Sequence, residues 1–320
     1  HTPLFHNATA FEAPLLNGDR CRTQSPTLTP SQTQTLTQEL DQVRDLMMHC
    51  LDHAGEIPAT QAGRYQISTG GGLLRARLAL ISGQHFGASA DYRIASAAAC
   101  ELMHNASLVH DDLCDGDTHR RGQATVWKQF NEAVALCAGD LLMCAAFMAA
   151  TEVANSDRSQ QLSRCLASHT RTVIAGQSLE VAPAPSTPPN LRDYLQATCN
   201  KTAPFILLPL EAGALGGRAS WHTLEGLKRA AYAIGLAYQI IDDLDDLAEG
   251  KTELHAYHAW HHHQPPPRDN GGVDRNTSVT RSVRHALAAL RRAQLQLSDL
   301  APALHQALAS FGPRAPGGSA

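Results

Sequence analysis

From Ser31 onward, apolar residues return at every third or fourth position: Leu36, Leu40, Val43, Met47 and Leu51 fall on one face of an amphipathic helix. A Gly70-Gly71-Gly72 run then interrupts the chain. Beyond it the spacing predicts helices over roughly Leu73 to Gln84, Ala90 to Leu113, Asn131 to Ala154, Asp157 to Glu180, Leu191 to Leu215 and Thr223 to Leu247. Connections are expected where Pro, Gly, Ser and Asn gather, at Ala182 to Asn190 and at Gly216 to Ser220. No repeat of solenoid length is present. Residues 1–30 mix Pro, Thr, Ser, Gln and Asn without period, and the numbering opens on His1, so a flexible arm behind a trimmed start is expected. After Lys251 a His-rich and then Pro- and Gly-rich stretch predicts a mobile loop at about 252–278. A last amphipathic helix is expected from Val279 to Ser310, with residues 313–320 frayed. One helical domain over 31–312 accounts for this order.

Composition supports helices over sheet. Hydrophobic residues are 43% of the 320, enough for a sizeable core, while aromatics are only 5% and the stretches are rich in Ala, the best helix former. The formal net charge of -4 argues against a nucleic-acid surface, so an anionic ligand has to be met by local charge. Eight cysteines without a CxxC pair, mostly in apolar helical patterns, read as reduced core thiols. The most apolar stretch, Val134 to Ala154, carries Asp140 in its middle, and nothing has the order of a signal peptide. A cytoplasmic protein without a membrane span is therefore expected.

Two acidic clusters carry the chemistry. In His110-Asp111-Asp112-Leu113-Cys114-Asp115, which closes an apolar helical run, Asp111 and Asp115 lie one turn apart. Asp242, Asp243, Asp245 and Asp246 repeat the arrangement, with Asp242 and Asp246 again one turn apart. Like charges so placed repel, and near a helix C-terminus they also face the negative end of the macrodipole. A cation relieves both penalties. Hard carboxylate oxygens suit Mg²⁺, which usually keeps waters and takes substrate phosphates as well. Arg120-Arg121-Gly122 follows the first cluster, and Arg suits bidentate contact with phosphate. A solvated helix end and a solvated basic turn are the bland readings of these features taken singly.

Together the motifs resemble the trans-isoprenyl diphosphate synthase (polyprenyl synthetase) family over about residues 64 to 250. MHNASLVHDDLCDGDTHRRGQAT is similar to the first aspartate-rich motif, and AYQIIDDLDD to the second. Gly139-Asp140, Gly176-Gln177 and Lys201-Thr202 fall where the family has GD, GQ and KT pairs. The resemblance implies an all-α bundle of the isoprenoid-synthase type around a deep apolar cavity, usually a homodimer. It implies two or three Mg²⁺ ions held by Asp111, Asp112 and Asp115 from one side and by Asp242, Asp243 and Asp246 from the other. An allylic diphosphate would ionise there and be attacked by isopentenyl diphosphate, with electrostatic stabilisation of the leaving group as the main catalytic effect. By the same resemblance Arg120, Lys201 and Gln239 hold the allylic diphosphate, with Thr202 beside them. Arg75, His104 and Arg121 hold isopentenyl diphosphate. Ala106 and Ser107 stand about 6–7.5 Å up the helix from Asp111, where bulky aromatics cap the growing chain in short-chain members, with Met103 behind them. Small residues there, and a DDLCD spacing without a two-residue insertion, imply products of C20 or longer.

The chain departs from the pattern in places. The family's GGKRxRP is Gly70-Gly71-Gly72-Leu73-Leu74-Arg75-Ala76, so the lysine has become Gly72 and only Arg75 remains of the basic group. One lost charge-assisted contact is worth roughly 1.5–3 kcal/mol, about ten- to a hundred-fold in affinity. The lysines that follow the second motif in relatives give way to the His-rich stretch, leaving Lys251 nearest. His255, His258, His261, His262 and His263 are metal-ligating types without an assured regular scaffold, and a protonatable loop is the expectation. Three readings stay open: a chain-elongating prenyltransferase, a terpene cyclase-like enzyme that ionises an allylic diphosphate alone, and a non-catalytic partner subunit of a related synthase.

Overall fold

The computed structural model describes residues 30–69, 71–180 and 203–248, with Ala288 and Arg292 beyond them. The expected arm up to residue 29, the connection 182–190, Lys201, Thr202, the 252–278 loop, the terminal helix and the 313–320 tail lie outside the described residues. The helices are α1 (Pro30–Asp52), α2 (Pro58–Ser68), α3 (Leu74–Phe86), α4 (Ala90–Asp115), α5 (Val126–Gln129), α6 (Glu132–Thr151), α7 (Ser156–Glu180), α8 (Pro204–Leu215) and α9 (Trp221–Ala248). By clustering of contacts the chain divides into two compact units. One comprises Leu28–Arg171 and Leu207–Leu224, and the other takes the rest.

In the first unit α4 is the central element. Its residues from Ala95 to Ala106 are all buried, and α6 packs along it more extensively than any other helix. Small side chains make this possible, because Ala97, Ala98 and Ala99 of α4 and Ala138, Ala146 and Ala149 of α6 are fully buried. Helix α1 packs its predicted stripe of Leu36, Leu40, Val43, Met47 and Leu51 into the same core. Each fully buried Leu there contributes about 1.5–3 kcal/mol. An ion pair of Arg93 with Glu39 ties α4 to α1. Helix α6 starts where the Asn131 side chain accepts from the Val134 amide at 2.8 Å, an N-cap. Helix α8 approaches α3 at Gly213, where a Cβ would collide with the Ala79 carbonyl oxygen. Its late carbonyls find side-chain donors: Tyr92 donates to Ala212 at 2.9 Å and Ser82 to Leu210 at 2.7 Å. In the other unit the described chain holds the end of α7, with Gly176 buried, and most of α9, which approaches Ala203 closely at Gly235.

Several expectations need correction. Helix α2 escapes the hydrophobic spacing because its buried positions, Ala59, Thr60, Ala62, Gly63 and Gln66, are small or polar and leave no period. The one-turn α5 is too short to show a period at all. Helix α8 is described from Pro204, with proline in the first helical turn where its missing N–H costs nothing, and the expected start at Leu191 lies outside the described residues. A two-stranded antiparallel ribbon pairs His119 with Ala124 and Arg120 with Gln123, where no strand was expected. Not all cysteines are core thiols either: Cys50, Cys100 and Cys165 are buried, but Cys114, Cys137 and Cys144 are exposed. Cys137 and Cys144 lie on the outer face of α6, which is apolar without being covered. By length and composition α6 could cross a membrane; 44% of its apolar window is buried and it packs against α1, α2 and α4, as a core helix does.

Candidate active site

The acidic end of α4 is held by a turn and a hairpin. Gly116, at φ 70°, closes the helix in the left-handed conformation, and the chain turns back through the ribbon. The ribbon's two-residue loop is Arg121-Gly122, with φ of 52° and 77°, the positive-φ pair that a type I′ hairpin turn requires. Arg at the first of these positions is strained, at roughly 1–2 kcal/mol. The surroundings over-determine it. The Asp117 carbonyl accepts from Thr125 Oγ1 and Trp127 Nε1, both at 2.7 Å. The Tyr65 hydroxyl of α2 donates to the Ala124 carbonyl at 2.7 Å.

This geometry returns Arg120 onto the carboxylates. Its Nε donates to Asp112 Oδ1 at 2.8 Å and its Nη2 to the same oxygen. Asp112 is 1% exposed, and its other oxygen, Oδ2, is buried with no hydrogen-bond partner among the described residues. Burial raises the Asp112 pKa, with Arg120 pulling the other way. Asp111 is half-buried beside it, and Asp115, the last residue of α4, is exposed. A buried acceptor oxygen without a donor, on a helix end that carries two further carboxylates, fits a hard cation.

Arg75 lies in the first turn of α3 and His104 within α4, two turns before Asp111. His104 is buried, and burial, helped by the positive charges of Arg75, Arg121 and Arg120, holds its pKa well below the ordinary value of 6.5. Neutral imidazole is thus the resting form. Arg121 lies against Gly71, where a Cβ would come within 2.6 Å of its Nη1. Glu101, which the motifs do not single out, organises this side. It is 4% exposed, its Oε2 accepts from the Ala76 amide at 2.9 Å, and so it caps α3 from a neighbouring helix. Burial raises its pKa, opposed by the Ala76 amide and Arg75. Its one sequence signal is a carboxylate on the buried face of an apolar run. Gln66 and Asn105 are also buried and bonded to each other, at 3.3 Å.

The GD pair acquires a physical reason. Any side chain at 139 would overlap the His110 ring, and His110 Nε2 stands 3.5 Å from Asp140 Oδ1. Of the chain-length candidates, Ala106 is fully enclosed, Ser107 is half-buried with its hydroxyl bonded to the His104 carbonyl at 2.8 Å, and Met103 is buried with its sulfur accepting from Thr170 at 3.3 Å. In the other unit Gln177 Nε2 is buried without a hydrogen-bond partner among the described residues. Gln239, Asp242, Asp243 and Asp246 all lie on α9, and their side chains lie outside the description. Arg75, His104, Arg120, Arg121 and the first cluster belong to one compact unit; α9 beyond Leu224 belongs to the other.

The described residues are thus mostly helical, and the acidic end of α4 holds a buried carboxylate paired with arginine. The polyprenyl synthetase family model matches residues 58–256, and the chain belongs to that family. It is 32% identical over 239 residues to the (2E,6E)-farnesyl diphosphate synthase of Mycobacterium bovis, across 75% of this chain and 64% of the relative. It is 33% identical over 200 residues to the chloroplastic geranylgeranyl pyrophosphate synthase of Catharanthus roseus, across 60% of this chain and 56% of the relative. The chain thus spans less than two thirds of the length of these relatives. Among solved structures, an FPP/GFPP synthase from Zymomonas mobilis superposes with a TM-score of 0.71 at 25% identity, covering 87% of this chain and 97% of that one. The fold is that of the isoprenoid synthases.

Proposed function

We propose that the protein is a Mg²⁺-dependent trans-prenyltransferase that condenses an allylic diphosphate with isopentenyl diphosphate into a polyprenyl diphosphate of C20 or longer. The observation that carries this reading is Asp112, a buried carboxylate with one oxygen on Arg120 and the other without a donor. Asp111, Asp112 and Asp115 would hold magnesium, as would Asp242, Asp243 and Asp246 on α9. Bound there, magnesium would neutralise the diphosphate and make it a better leaving group.

The protein's own residues do the rest. Arg120 fixes the orientation of Asp112 and presents its remaining guanidinium N–H groups to phosphate oxygens. Arg75, Arg121 and neutral His104 surround the second diphosphate, with Glu101 holding the start of α3 so that Arg75 is presented from a fixed backbone. By the family resemblance Lys201, Thr202 and Gln239 would hold the allylic diphosphate. Ala106, Ser107 and Met103 are the residues near which chain length would be set, and of the three only Ser107 is not fully buried. The exposed stripe of Leu136, Asp140 and Cys144 on α6, with Leu136 52% exposed, suits a second copy of the chain. The buried thiols of Cys50, Cys100 and Cys165 are not in disulfides, which fits the reducing cytoplasm.

The cyclase-like reading draws on Gly72, which leaves the isopentenyl side one lysine short. Another cation on that side, however, is Arg77, whose Nε donates to the Gly72 carbonyl at 2.8 Å. Complete acidic clusters speak against a non-catalytic partner. Purified protein with Mg²⁺ and each allylic diphosphate, with and without isopentenyl diphosphate, followed by product mass analysis, tests the proposal. Elongated diphosphates of C20 or more only with both substrates support it; products from the allylic substrate alone replace it with the cyclase-like reading.

A further inference from the structure

Away from the acidic end of α4, a second group of ligating side chains meets between α7 and α8. Cys165 and His169 are four residues apart on α7 and so share one face, and Glu211 of α8 reaches them. One ligand atom from each lies within 4.8 Å of the others. His169 Nε2 and Glu211 Oε2 are 2.7 Å apart, with the histidine side chain 12% and the glutamate 31% exposed. Cys165 is 8% exposed. All three belong to the same compact unit.

We propose that Cys165, His169 and Glu211 form a binding site for a zinc-type transition-metal dication, distinct from the magnesium site. Thiolate, imidazole and carboxylate are the donor set that Zn²⁺ takes, whereas Mg²⁺ demands oxygen and keeps its waters. Tetrahedral zinc holds such donor atoms about 3.3–3.5 Å apart, so side-chain rotation on two fixed helices closes the cluster. Binding exchanges protons for metal. The Cys165 sulfur loses its proton, and the contact between His169 and Glu211 opens to admit the ion, with water or a further donor at the fourth position. Burial, with Glu211 and Cys100 nearby, keeps the metal-free thiol protonated, so uptake of the metal releases a proton. The ion would lock α7 to α8 one residue from Thr170, whose hydroxyl is bonded to Met103 on α4. The site stands whether or not the proposed prenyl transfer does.

Co²⁺ titration of the full-length, chelator-treated protein under reducing conditions tests this. One equivalent is expected to give a thiolate-to-cobalt charge-transfer band in the near ultraviolet, displaced by Zn²⁺. The His-rich stretch at 252–278 contains no cysteine and cannot produce that band. Cys165→Ser should abolish it, Cys100→Ser should retain it, and Glu211→Gln should weaken Co²⁺ binding at least about tenfold. Should Cys165→Ser fail to fold, the wild-type band and Glu211→Gln, at a partly exposed position, decide. No charge-transfer band in the wild type, a band that survives Cys165→Ser, or Co²⁺ affinity unchanged in Glu211→Gln overturns the proposal and leaves a hydrogen-bonded His–Glu pair beside a core thiol.

Discussion

The ribbon after α4 and the start of α3 meet where Arg121 lies against Gly71, yet they are held in different ways. The ribbon carries two arginines, Arg121 on a strained turn and Arg120 just before it, and is pinned by Tyr65, Thr125 and Trp127. The start of α3 also holds a non-glycine residue in the left-handed region, Leu73 at φ 47°, but its charge has been reduced to Arg75, and Glu101 is the buried acid that caps it. At Gly72 a Cβ would meet nothing within 4 Å, and the φ is not positive. The ribbon therefore spends stability on a fixed cationic geometry, while the α3 side keeps its backbone and has lost a contact. Strain persists where neighbours over-determine it.

Removing the ribbon's charge should do the most damage. Arg120→Ala is expected to lower kcat/KM at least about a hundredfold in steady-state assays, the scale for losing one donor to developing charge. It should also cost about 3 kcal/mol in denaturant unfolding, at the low end for breaking a buried pair because Arg120 is 34% exposed. Unaltered kinetics would mean that the ribbon only props up Asp112.

Next comes restoring the α3 side. Gly72→Lys should lower the KM for isopentenyl diphosphate about ten- to a hundred-fold with little change in kcat, since ground and transition states would share the contact. If the wild type already binds that substrate tightly and the added lysine does nothing, Arg77 has replaced the missing charge.

A smaller effect separates the strain from its use. Arg121→Asn relieves the left-handed arginine and should raise stability by about 1 kcal/mol or less, because Asn tolerates that region. The same change should raise the KM for isopentenyl diphosphate. Greater stability with unchanged kinetics would show the arginine to be strained without purpose.

An effect of similar size concerns pH. His104 is neutral when folded, so its contribution to stability is complete above pH 6.5 and is lost as pH falls from there toward its depressed folded value. The slope for one group is about 1.4 kcal/mol per pH unit. Asp112 and Glu101, pushed up by burial, act in the opposite sense as pH falls through their raised values. The difference between wild type and His104→Gln in thermal unfolding from pH 7 to pH 5.5 isolates the histidine; identical slopes would place a charged imidazole in the fold.

The helices of the core are legible in the sequence because their buried faces are built from Leu, Met, Val and Ala at helical spacing, as in α1 and α4. Helix α2 is not, since it buries Thr60, Gly63 and Gln66. The first acidic cluster is legible from its spacing, but its pairing is not. Asp111 and Asp115 are the pair that periodicity brings together, whereas the buried member is Asp112, held by an arginine that only the hairpin returns to it. Arg121-Gly122 reads as a basic turn, and the type I′ geometry that aims it depends on positive φ, to which hydrophobic periodicity is blind. Glu101 stands out only as the one carboxylate in the buried run from Ala95 to Ala106.

The central claim, that Asp112 helps hold a cation for diphosphate, is tested most directly by calorimetric titration of the wild type and Asp112→Asn with inorganic diphosphate, with and without Mg²⁺. The orphaned Asp112 oxygen predicts diphosphate binding that requires Mg²⁺ in the wild type and falls at least about tenfold in Asp112→Asn, while circular dichroism shows the helices intact. Diphosphate binding of equal strength without Mg²⁺, or unchanged in Asp112→Asn, would contradict it.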